Sequence, residues 1–372
     1  EALSVRVVHV ITSLTAGGAE RMLTRTVPPT GVGEDGSRHA VVVLGALGPF
    51  AAELIARGVT VVPLGMRPGR DLVRGTVRLV RALRRLQADV VLAWLAHASL
   101  VATLARPFAG RPRLVWLVRT SLESWAGIPW HSRLTVRLLA LLSRRPEVIA
   151  VNSEAGRRDH ERHGYRPRRW ALVPNRFDPD EWRPDGADRS AVRSELGLAP
   201  EDIAIVHVAR VHPVKDHPGV LAALERVAAH RPEVRAVLVG AGTEALPVPH
   251  GLVGRIRALG ERDDVARLLR GCDLAVLGSR AEGLPNALGE AMASGLPCVS
   301  TDVGDAARLV GGTGRIVAPG DVTALSDALE AMVALPSEER AALGAAARER
   351  VLAGHGPGVA MAAYTELWAP RP

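Results

Sequence analysis

Short apolar runs rich in β-branched residues alternate along this chain with longer stretches in which apolar positions recur at helical spacing. Such uninterrupted runs are typical of strands in a parallel sheet that is covered on both faces. The first half contains six predicted strands, at residues 5–11, 39–47, 60–65, 89–95, 113–119 and 147–153. Four more follow a Pro- and Asp-rich stretch, at residues 203–210, 235–242, 273–279 and 297–304. The pattern predicts an α/β protein of two Rossmann-like, doubly wound domains joined near residues 178–198. Ligands of such sheets bind beyond the C-terminal strand ends, so we expect a site in a cleft between the two domains.

Charge differs between the two predicted domains. Residues 1–177 contain 27 basic and 12 acidic side chains, whereas the remainder contains 20 basic and 27 acidic ones. An anionic partner is therefore expected for the first half, and nucleic acid, a membrane surface and a phosphorylated acceptor all meet that condition. Nucleic acid is disfavoured, because aromatic residues that could stack on bases make up only 3% of the chain.

The composition excludes several classes of site. The chain has only two cysteines, Cys272 and Cys298, which is too few for a disulfide framework. Its 12 histidines lack the spacing of metal ligands. No apolar run approaches the length of a membrane span, and the first residues resemble a buried strand rather than a signal peptide. We therefore expect a cytoplasmic protein without a metal site.

The only lysine of the chain, Lys215, lies just beyond the predicted strand 203–210, which Arg210 ends. Two cations at the C-terminal end of a strand, before a helix that starts near Pro218, suit a diphosphate, which the helix N-terminus also attracts. A pocket that requires a compact ammonium rather than a planar guanidinium would explain the lysine. Position alone leaves open the alternative that a surface lysine persisted by chance.

A second cluster lies in "AEGLPNALGE" (281–290). Glu282 is predicted in a turn at a strand end, and Glu290 in the helix that follows. Carboxylates placed in this way can accept hydrogen bonds from hydroxyl groups on two parts of a ligand. The N–H groups of residues 283–286 lie at the start of a helix, where they favour polar or anionic groups. The arrangement suits a sugar, although a capping turn with two solvated glutamates is also a common explanation of such a pair.

Taken together, the Glu-x7-Glu pair, the upstream Arg-x4-Lys pair and "GGAE" (17–20) resemble a retaining glycosyltransferase of glycosyltransferase family 4, which has the GT-B fold. The similarity extends over nearly the whole chain. It includes "VPNRFDPDEWRP" (173–184) and the segment from "ALGERDD" to "CVSTDVG" (258–304). Each motif is weak alone, whereas the combination is specific.

The resemblance implies roles for these residues. Arg210 and Lys215 would hold the diphosphate of a nucleotide sugar, and Gly17 and Gly18 would let the first domain approach the diphosphate and the acceptor. The remaining implied donor contacts are Glu282 with Gly283, Leu284, Pro285 and Asn286 at the sugar, Glu290 at the ribose, and Leu259 at the base. The family needs no metal or other cofactor. "EGLPN" (282–286) is similar to transferases of hexoses or N-acetylhexosamines, which favours a UDP donor.

Two positions depart from the family pattern. Arg119 stands where many relatives have a histidine, and Arg176 replaces the usual glycine of the linker motif. The first departure points to His97, at the end of the previous strand, or to Arg119 itself as the acceptor-binding residue. A lone histidine among apolar residues is more often structural.

The segment 70–87 is the clearest amphipathic element. We predict an arginine face on this helix, formed by Arg70, Arg74, Arg78, Arg81 and Arg85, and an apolar face opposite, formed by Val73, Val77, Val80 and Leu83. A solvated helix that covers the sheet is the favoured interpretation. Peripheral contact with the inner face of an anionic membrane stays open, since each basic residue near such a surface contributes about 1 kcal/mol.

We therefore expect an acceptor domain at 1–177 and a linker and donor domain at 178–352, with 353–372 packing back on the first domain. The expected reaction moves a hexose or N-acetylhexosamine from a nucleoside diphosphate to an acceptor hydroxyl with retained configuration. Front-face substitution is expected, because no carboxylate is evidently placed as a nucleophile. The alternatives are a nucleotide-sugar 2-epimerase of the same fold and a non-catalytic protein whose basic half binds nucleic acid or a membrane. The sequence leaves the acceptor open.

Overall fold

The computed structural model describes residues 4–15, 17–67, 71–119, 122 and 130–370. These residues form two compact units, one within Glu1–Pro174 and Ala360–Pro372 and the other from Asn175 to Val359. The division lies three residues before the predicted boundary at 177, because Phe177 is buried in the core of the second unit. Binding of the acceptor by one unit and of the donor by the other stays a prediction.

The described part of the first unit contains one sheet of seven parallel strands in the order β3-β2-β1-β4-β5-β6-β7. In chain order these strands are β1 (Arg6–Ile11), β2 (Arg38–Val43), β3 (Thr60–Pro63), β4 (Val90–Trp94), β5 (Arg113–Val118), β6 (Val148–Val151) and β7 (Trp170–Leu172). Strands β1, β2, β4, β5 and β6 are almost entirely buried, since helices cover both faces of the sheet.

Helices of the first unit pack in two layers. They are α1 (Gly18–Thr26), α2 (Pro49–Ala56), α3 (Leu72–Arg85), α4 (Leu95–Ala105), α5 (Trp130–Leu142), α6 (Glu154–Arg162) and, from the other end of the chain, α14 (Pro357–Trp368), with 3-10 turns at Pro29–Gly31 and Arg106–Phe108. Apolar residues of α3, α4 and α5 pack on one face of the sheet. Residues of α1, α2 and α14 pack on the other face, so the end of the chain completes the first core.

The second unit repeats this design. Its described sheet has six parallel strands in the order β10-β9-β8-β11-β12-β13, namely β8 (Ile203–Val208), β9 (Val234–Val239), β10 (Ile256–Ala258), β11 (Leu274–Leu277), β12 (Cys298–Thr301) and β13 (Gly314–Val317). Its helices are α7 (Gly186–Leu196), α8 (His217–His230), α9 (Val265–Arg270), α10 (Asn286–Ala293), α11 (Ala306–Val310), α12 (Val322–Val333) and α13 (Ser337–His355), with 3-10 turns at Pro213–Lys215, Thr243–Ala245 and His250–Leu252. Two Rossmann-like sheets therefore confirm the predicted fold class.

All ten predicted strands are present within the described residues, and three further strands were not predicted. These are β7, β10 and β13, which lie at sheet edges. An edge strand is short and half exposed, so it lacks the continuous apolar run that identifies a central strand. In β13, for example, Gly314 and Arg315 occupy half of the four positions.

The prediction of the buried face of α3 was partly wrong. The buried residues are Gly75, Leu79, Ala82 and Leu83, whereas Val73 and Val77 are 77% and 44% exposed. Helical geometry explains the correction, because Leu79 lies four residues after Gly75, and Ala82 and Leu83 lie three and four residues after Leu79. Arg70 lies outside the described residues. Contact of 70–87 with a membrane stays a prediction, and none of the described helices is both long and apolar enough to cross a bilayer.

A chain of hydrogen bonds runs through the core of the first unit. The indole N–H of Trp94 donates to His9 Nδ1 over 3.2 Å, and His9 Nε2 lies 3.0 Å from His39 Nδ1. His39 Nε2 lies 2.8 Å from the Ser37 hydroxyl, which contacts Asp35. Since His9 accepts at Nδ1, it donates from Nε2, and His39 then donates from its own Nε2. Each imidazole is therefore neutral with one fixed tautomer.

Acidification is expected to destabilise the first unit through these histidines. Burial lowers the pKa of His9 well below its ordinary value and lowers the pKa of His39 to about 4. A folded-state pKa below that of the unfolded chain gives stability that is complete above about pH 6.5 and is lost as the pH falls towards 4. His39 alone should account for about 2 kcal/mol of lost unfolding free energy between pH 7 and 4.5.

Urea titrations at the two pH values provide the measurement. The variant His39→Gln should lose less stability on acidification than the native protein does. His230→Gln is the matched control, since His230 is 71% exposed. Equal pH dependence in the native protein and His39→Gln would contradict the assignment.

Candidate active site

The two predicted phosphate-binding cations lie beyond the C-terminal end of β8. Arg210 follows the strand by two residues and is exposed, and its side chain contacts no acid among the described residues. Lys215 ends the 3-10 turn Pro213–Lys215, directly before Asp216, which caps α8. Both cations are therefore next to the start of a 14-residue helix, whose N-terminus carries a partial positive charge.

Lys215 forms an ion pair with Glu282, so the fold brings two predicted site residues into direct contact. The Lys215 ammonium binds Glu282 Oε1, and the same oxygen accepts the Ser279 hydroxyl over 2.7 Å. The two side chains are 26% and 13% exposed. Within the described part of the chain no donor reaches Glu282 Oε2, which leaves that oxygen open to a ligand hydroxyl.

The loops that carry this pair are joined by further bonds. Arg280 contacts Asp216 at 2.9 Å, and the Arg280 amide donates to the Val214 carbonyl over 2.7 Å. Asp216 has a left-handed backbone with φ of 48°, and its carboxylate accepts the Gly219 amide over 3.4 Å. The Asp216–Arg280 pair, one residue from Lys215 and two from Glu282, therefore fixes the spacing of the two loops.

Two glycines permit close backbone contact behind these loops. A Cβ atom on Gly240, which has φ of +143°, would lie 2.2 Å from the Ala209 carbonyl oxygen. A Cβ atom on Gly304, with φ of +58°, would lie 2.2 Å from the Gly283 carbonyl oxygen. Only glycine fits either position, so these residues fix the path of the chain beside Arg210 and Glu282.

Helix α10 carries the remaining predicted sugar and ribose contacts. Asn286 is its first residue and accepts a 2.5 Å hydrogen bond from the Asn175 side chain, and Glu290 lies one turn later, half-buried. Leu284 and Pro285 are buried, and the Gly283 carbonyl accepts the Asp305 amide over 2.9 Å. As predicted, Glu282 lies in the turn after β11 and Glu290 in the following helix.

Leu259 follows β10, and its amide donates to the Leu238 carbonyl over 2.9 Å. The sheet therefore already uses that N–H group. A contact between this segment and a nucleotide base stays a prediction.

Two buried histidines lie behind Lys215. His207 donates from Nδ1 to the Val276 carbonyl over 2.9 Å, and His217 contacts the Ala209 carbonyl over 3.2 Å from Nε2. Burial lowers the pKa of both imidazoles, to about 4 for His207. Because both rings are neutral near pH 7, Lys215 and Arg210 supply the positive charge at this end of the sheet.

The first unit places its predicted residues at the C-terminal ends of strands as well. Gly17 caps α1 and Gly18 begins it, after β1. Strand β4 runs directly into α4, where Leu95 has φ of +69° and His97 lies in the first turn, half-buried. Burial lowers the pKa of His97, so the ring is neutral near pH 7. A left-handed leucine is strained, and such strain is concentrated at functional sites.

Arg119 is held by contacts inside the first unit. Its guanidinium donates to the Val173 carbonyl over 3.2 Å and to the Tyr364 hydroxyl, and it lies 5.7 Å above the Trp94 ring. Burial lowers the Arg119 pKa. These contacts favour a role in attaching α14 to the sheet, and acceptor binding by Arg119 stays a prediction.

A metal site is not visible in the described residues, where no three His, Cys, Asp or Glu side chains are grouped to hold an ion. In the linker motif at 173–184, Asp178 pairs with Arg176 at 3.0 Å. The family's glycine is thus replaced by an arginine that neutralises the neighbouring acid.

Sequence reasoning missed Ser279, Asp216, Arg280, Gly240 and Gly304. Asp216 and Arg280 act through a contact between separate segments of the chain, as Gly240 and Gly304 do. Ser279 contacts Glu282, three residues later, but no motif marks a serine at that position. The assembled site offers two cations and an open carboxylate oxygen beside a helix N-terminus. It can bind a diphosphate joined to a hydroxyl-rich group, because a cation and a hydroxyl acceptor lie next to each other.

Comparison with known proteins identifies the family. The model for Glycosyltransferase Family 4 matches residues 16–181, and the model for Glycosyl transferases group 1 matches residues 202–334. The two matches together cover most of the chain. This chain belongs to glycosyltransferase family 4.

Relatives of this family 4 member include one protein named only as a glycosyltransferase and one named for a specific product. The putative glycosyltransferase EpsF of Bacillus subtilis is 32% identical over 211 residues, which are 54% of this chain and 53% of EpsF. The N-acetyl-alpha-D-glucosaminyl L-malate synthase of Bacillus anthracis is 31% identical over 172 residues, 44% of each chain. The chain thus aligns with about half, or less, of the length of these curated relatives.

Similarity to solved structures covers the whole fold. HepE of Anabaena, solved in complex with UDP and glucose, matches with a TM-score of 0.81 at 22% identity, over 97% of this chain and 98% of HepE. The family 4 chain therefore has the GT-B fold, in agreement with the prediction.

Proposed function

We propose that this protein transfers a hexose or N-acetylhexosamine from a nucleoside diphosphate, with UDP favoured, to an acceptor hydroxyl, with retention and without a metal. The contact between Lys215 and Glu282 carries the proposal. In a nucleotide sugar the distal phosphate is bonded directly to the transferred sugar, so the residues that hold these two groups must be neighbours. The binding of UDP and glucose by HepE and the N-acetylglucosaminyl specificity named for a relative support the donor class.

Each residue has one part in the proposed reaction. Lys215 and Arg210 neutralise the diphosphate, and they stabilise the charge that grows on it as the bond from the anomeric carbon to the phosphate oxygen breaks. Glu282 Oε2 accepts a hydrogen bond from a sugar hydroxyl, and the Glu290 carboxylate accepts hydrogen bonds from the ribose hydroxyls.

The acceptor oxygen bonds to the anomeric carbon on the face that the phosphate leaves, and the acceptor proton passes to the departing phosphate oxygen. Glu282 has a binding role in this proposal, because Lys215 and Ser279 hold its Oε1 and the sugar hydroxyl uses its Oε2.

Nucleotide binding provides the first test. UDP, GDP, ADP and TDP, each with its sugar nucleotides, are compared by thermal shift with and without chelator. A ligand at 100 times its dissociation constant adds about 2.7 kcal/mol of stability. We expect a chelator-insensitive shift with UDP that is lost in Glu290→Ala.

Glu349→Ala is the matched control, because Glu349 is an exposed acid of α13 with no partner among the described residues. Failure of all four nucleotides would contradict the proposal. Conversion of the sugar nucleotide without an acceptor into its 2-epimer would favour the epimerase instead.

A further inference from the structure

An open groove of about 1240 Å³ lies on the first unit beside the edge strand β7. Its charged lining consists of Arg144, Arg158, Arg162, Arg166, Arg168 and Glu161. Five arginines and one acid make this concave surface strongly cationic. None of these residues belongs to the candidate active site.

The groove lies at the opposite end of the sheet from the predicted site residues. Arg144 precedes β6, and Arg166 and Arg168 precede β7. Gly17 and His97, by contrast, lie after the ends of β1 and β4. Because all strands of this sheet are parallel, residues before a strand and residues after a strand lie at opposite edges. The groove is therefore separate from the predicted site residues of the first unit.

Most of the positive charge in the groove is not neutralised. Arg144, Arg158 and Arg168 form no ion pair within the ranges that the structure describes. Arg162 pairs with Asp159 at 3.8 Å. Arginine stays protonated at any physiological pH, so these charges repel each other unless an anion binds.

The loop that carries Arg166 is ordered by local bonds. The Arg166 guanidinium donates to the carbonyls of Glu161 and Tyr165 over 2.8 and 2.9 Å, and its amide donates to the Ser143 hydroxyl over 2.8 Å. The end of α5 and the end of α6 are thereby joined across the base of the groove. The arginines are thus presented on a fixed frame, which lowers the entropy lost on binding a ligand.

We propose that this groove binds a ligand with two or more closely spaced phosphate groups. A guanidinium offers planar, bidentate donors that match phosphate oxygens, and the spread of five arginines around one concavity suits several phosphates rather than one. The ligand is an anchor or effector and not the sugar donor, because the groove faces away from the strand ends that carry the predicted site.

The phosphates can come from a lipid headgroup or from a soluble molecule. Leu141, three residues before Arg144, is 81% exposed at the end of α5. An exposed leucine beside unpaired arginines makes a bilayer the first source to examine.

Binding of sodium tripolyphosphate to the full chain, measured by calorimetry, tests the proposal. We expect at least tenfold weaker binding in Arg158→Ala/Arg168→Ala. The matched control, Arg38→Ala/Arg67→Ala, removes two exposed arginines beside β2 and β3, on the side of the sheet away from β7, and should bind like the native protein. Binding at the groove should also survive in Lys215→Ala.

A second experiment identifies whether the phosphates belong to a lipid headgroup or to a soluble molecule. Sedimentation with vesicles that contain cardiolipin, whose headgroup carries two phosphates, is compared for the same variants, with phosphatidylcholine vesicles as a blank. Loss of cardiolipin binding in the groove variant assigns a lipid headgroup, whereas tripolyphosphate binding without vesicle binding assigns a soluble ligand. The variant Val73→Glu, which adds a negative charge to the exposed surface of α3, tests whether α3 contributes to vesicle binding. Absence of both activities, or equal losses in the groove and control variants, would overturn the proposal.

Discussion

Replacement of Lys215 by alanine is expected to lower kcat of sugar transfer by about 10²–10³-fold, because the variant lacks the ammonium that stabilises charge on the leaving diphosphate. The residue is well placed for this role. It is only 26% exposed, it directly precedes the N-terminus of α8, and it contacts the carboxylate that we assign to the transferred sugar. Steady-state kinetics with the nucleotide sugar identified by thermal shift provide the measurement.

Removal of Lys215 also leaves the Glu282 carboxylate without its cation, which alone could disturb the site. Two further variants separate these effects. The pair Lys215→Met/Glu282→Gln removes both charges and should recover stability but not turnover. Lys215→Arg keeps the charge in a planar, branched form and should recover turnover only in part, if the pocket requires an ammonium. Near-normal transfer by Lys215→Ala would refute the assignment of this residue.

The main features of the site could be predicted because they lie in short motifs. Lys215 and Glu282 each follow a strand that a continuous apolar run identifies, and parallel sheets gather such residues at one edge. Their direct ion pair could not be predicted, since residues 215 and 282 come together only through the β8–β11 pairing. Ser279 was missed for a different reason, since its contact with Glu282, three residues later, depends on the conformation of the turn after β11.

Prediction of the strands and helices from the sequence was limited as well. Central strands such as β1 and β8 could be predicted because burial on both faces requires uninterrupted apolar sequence. Of the edge strands in the described sheets, β3 was predicted but β7, β10 and β13 were not, because half exposure allows almost any residue. The prediction of the buried face of α3 was partly wrong, because the apolar residues of this helix span more of its surface than the sheet covers. Val73 is therefore left exposed.

Gly304→Ala should have the second large effect, on both stability and turnover. The new Cβ atom would lie 2.2 Å from the Gly283 carbonyl oxygen and 2.6 Å from that of Glu282, which are backbone atoms and cannot rotate away. The chain must therefore shift by roughly 1 Å, and a displacement of this size at a catalytic residue lowers turnover by about 100-fold. The left-handed backbone and the clash together should cost about 3 kcal/mol of unfolding free energy or more.

Gly254→Ala separates the steric effect from the backbone effect. Gly254 is left-handed as well, with φ of +76°, but a Cβ atom there meets nothing within 4 Å. This control should lose about 1 kcal/mol and keep its activity, because only the backbone preference changes. Urea denaturation and steady-state kinetics on both variants distinguish the two contributions. Similar turnover in Gly304→Ala and Gly254→Ala would show that the position of the 282–283 turn does not limit catalysis, and the role assigned to Glu282 would then be wrong.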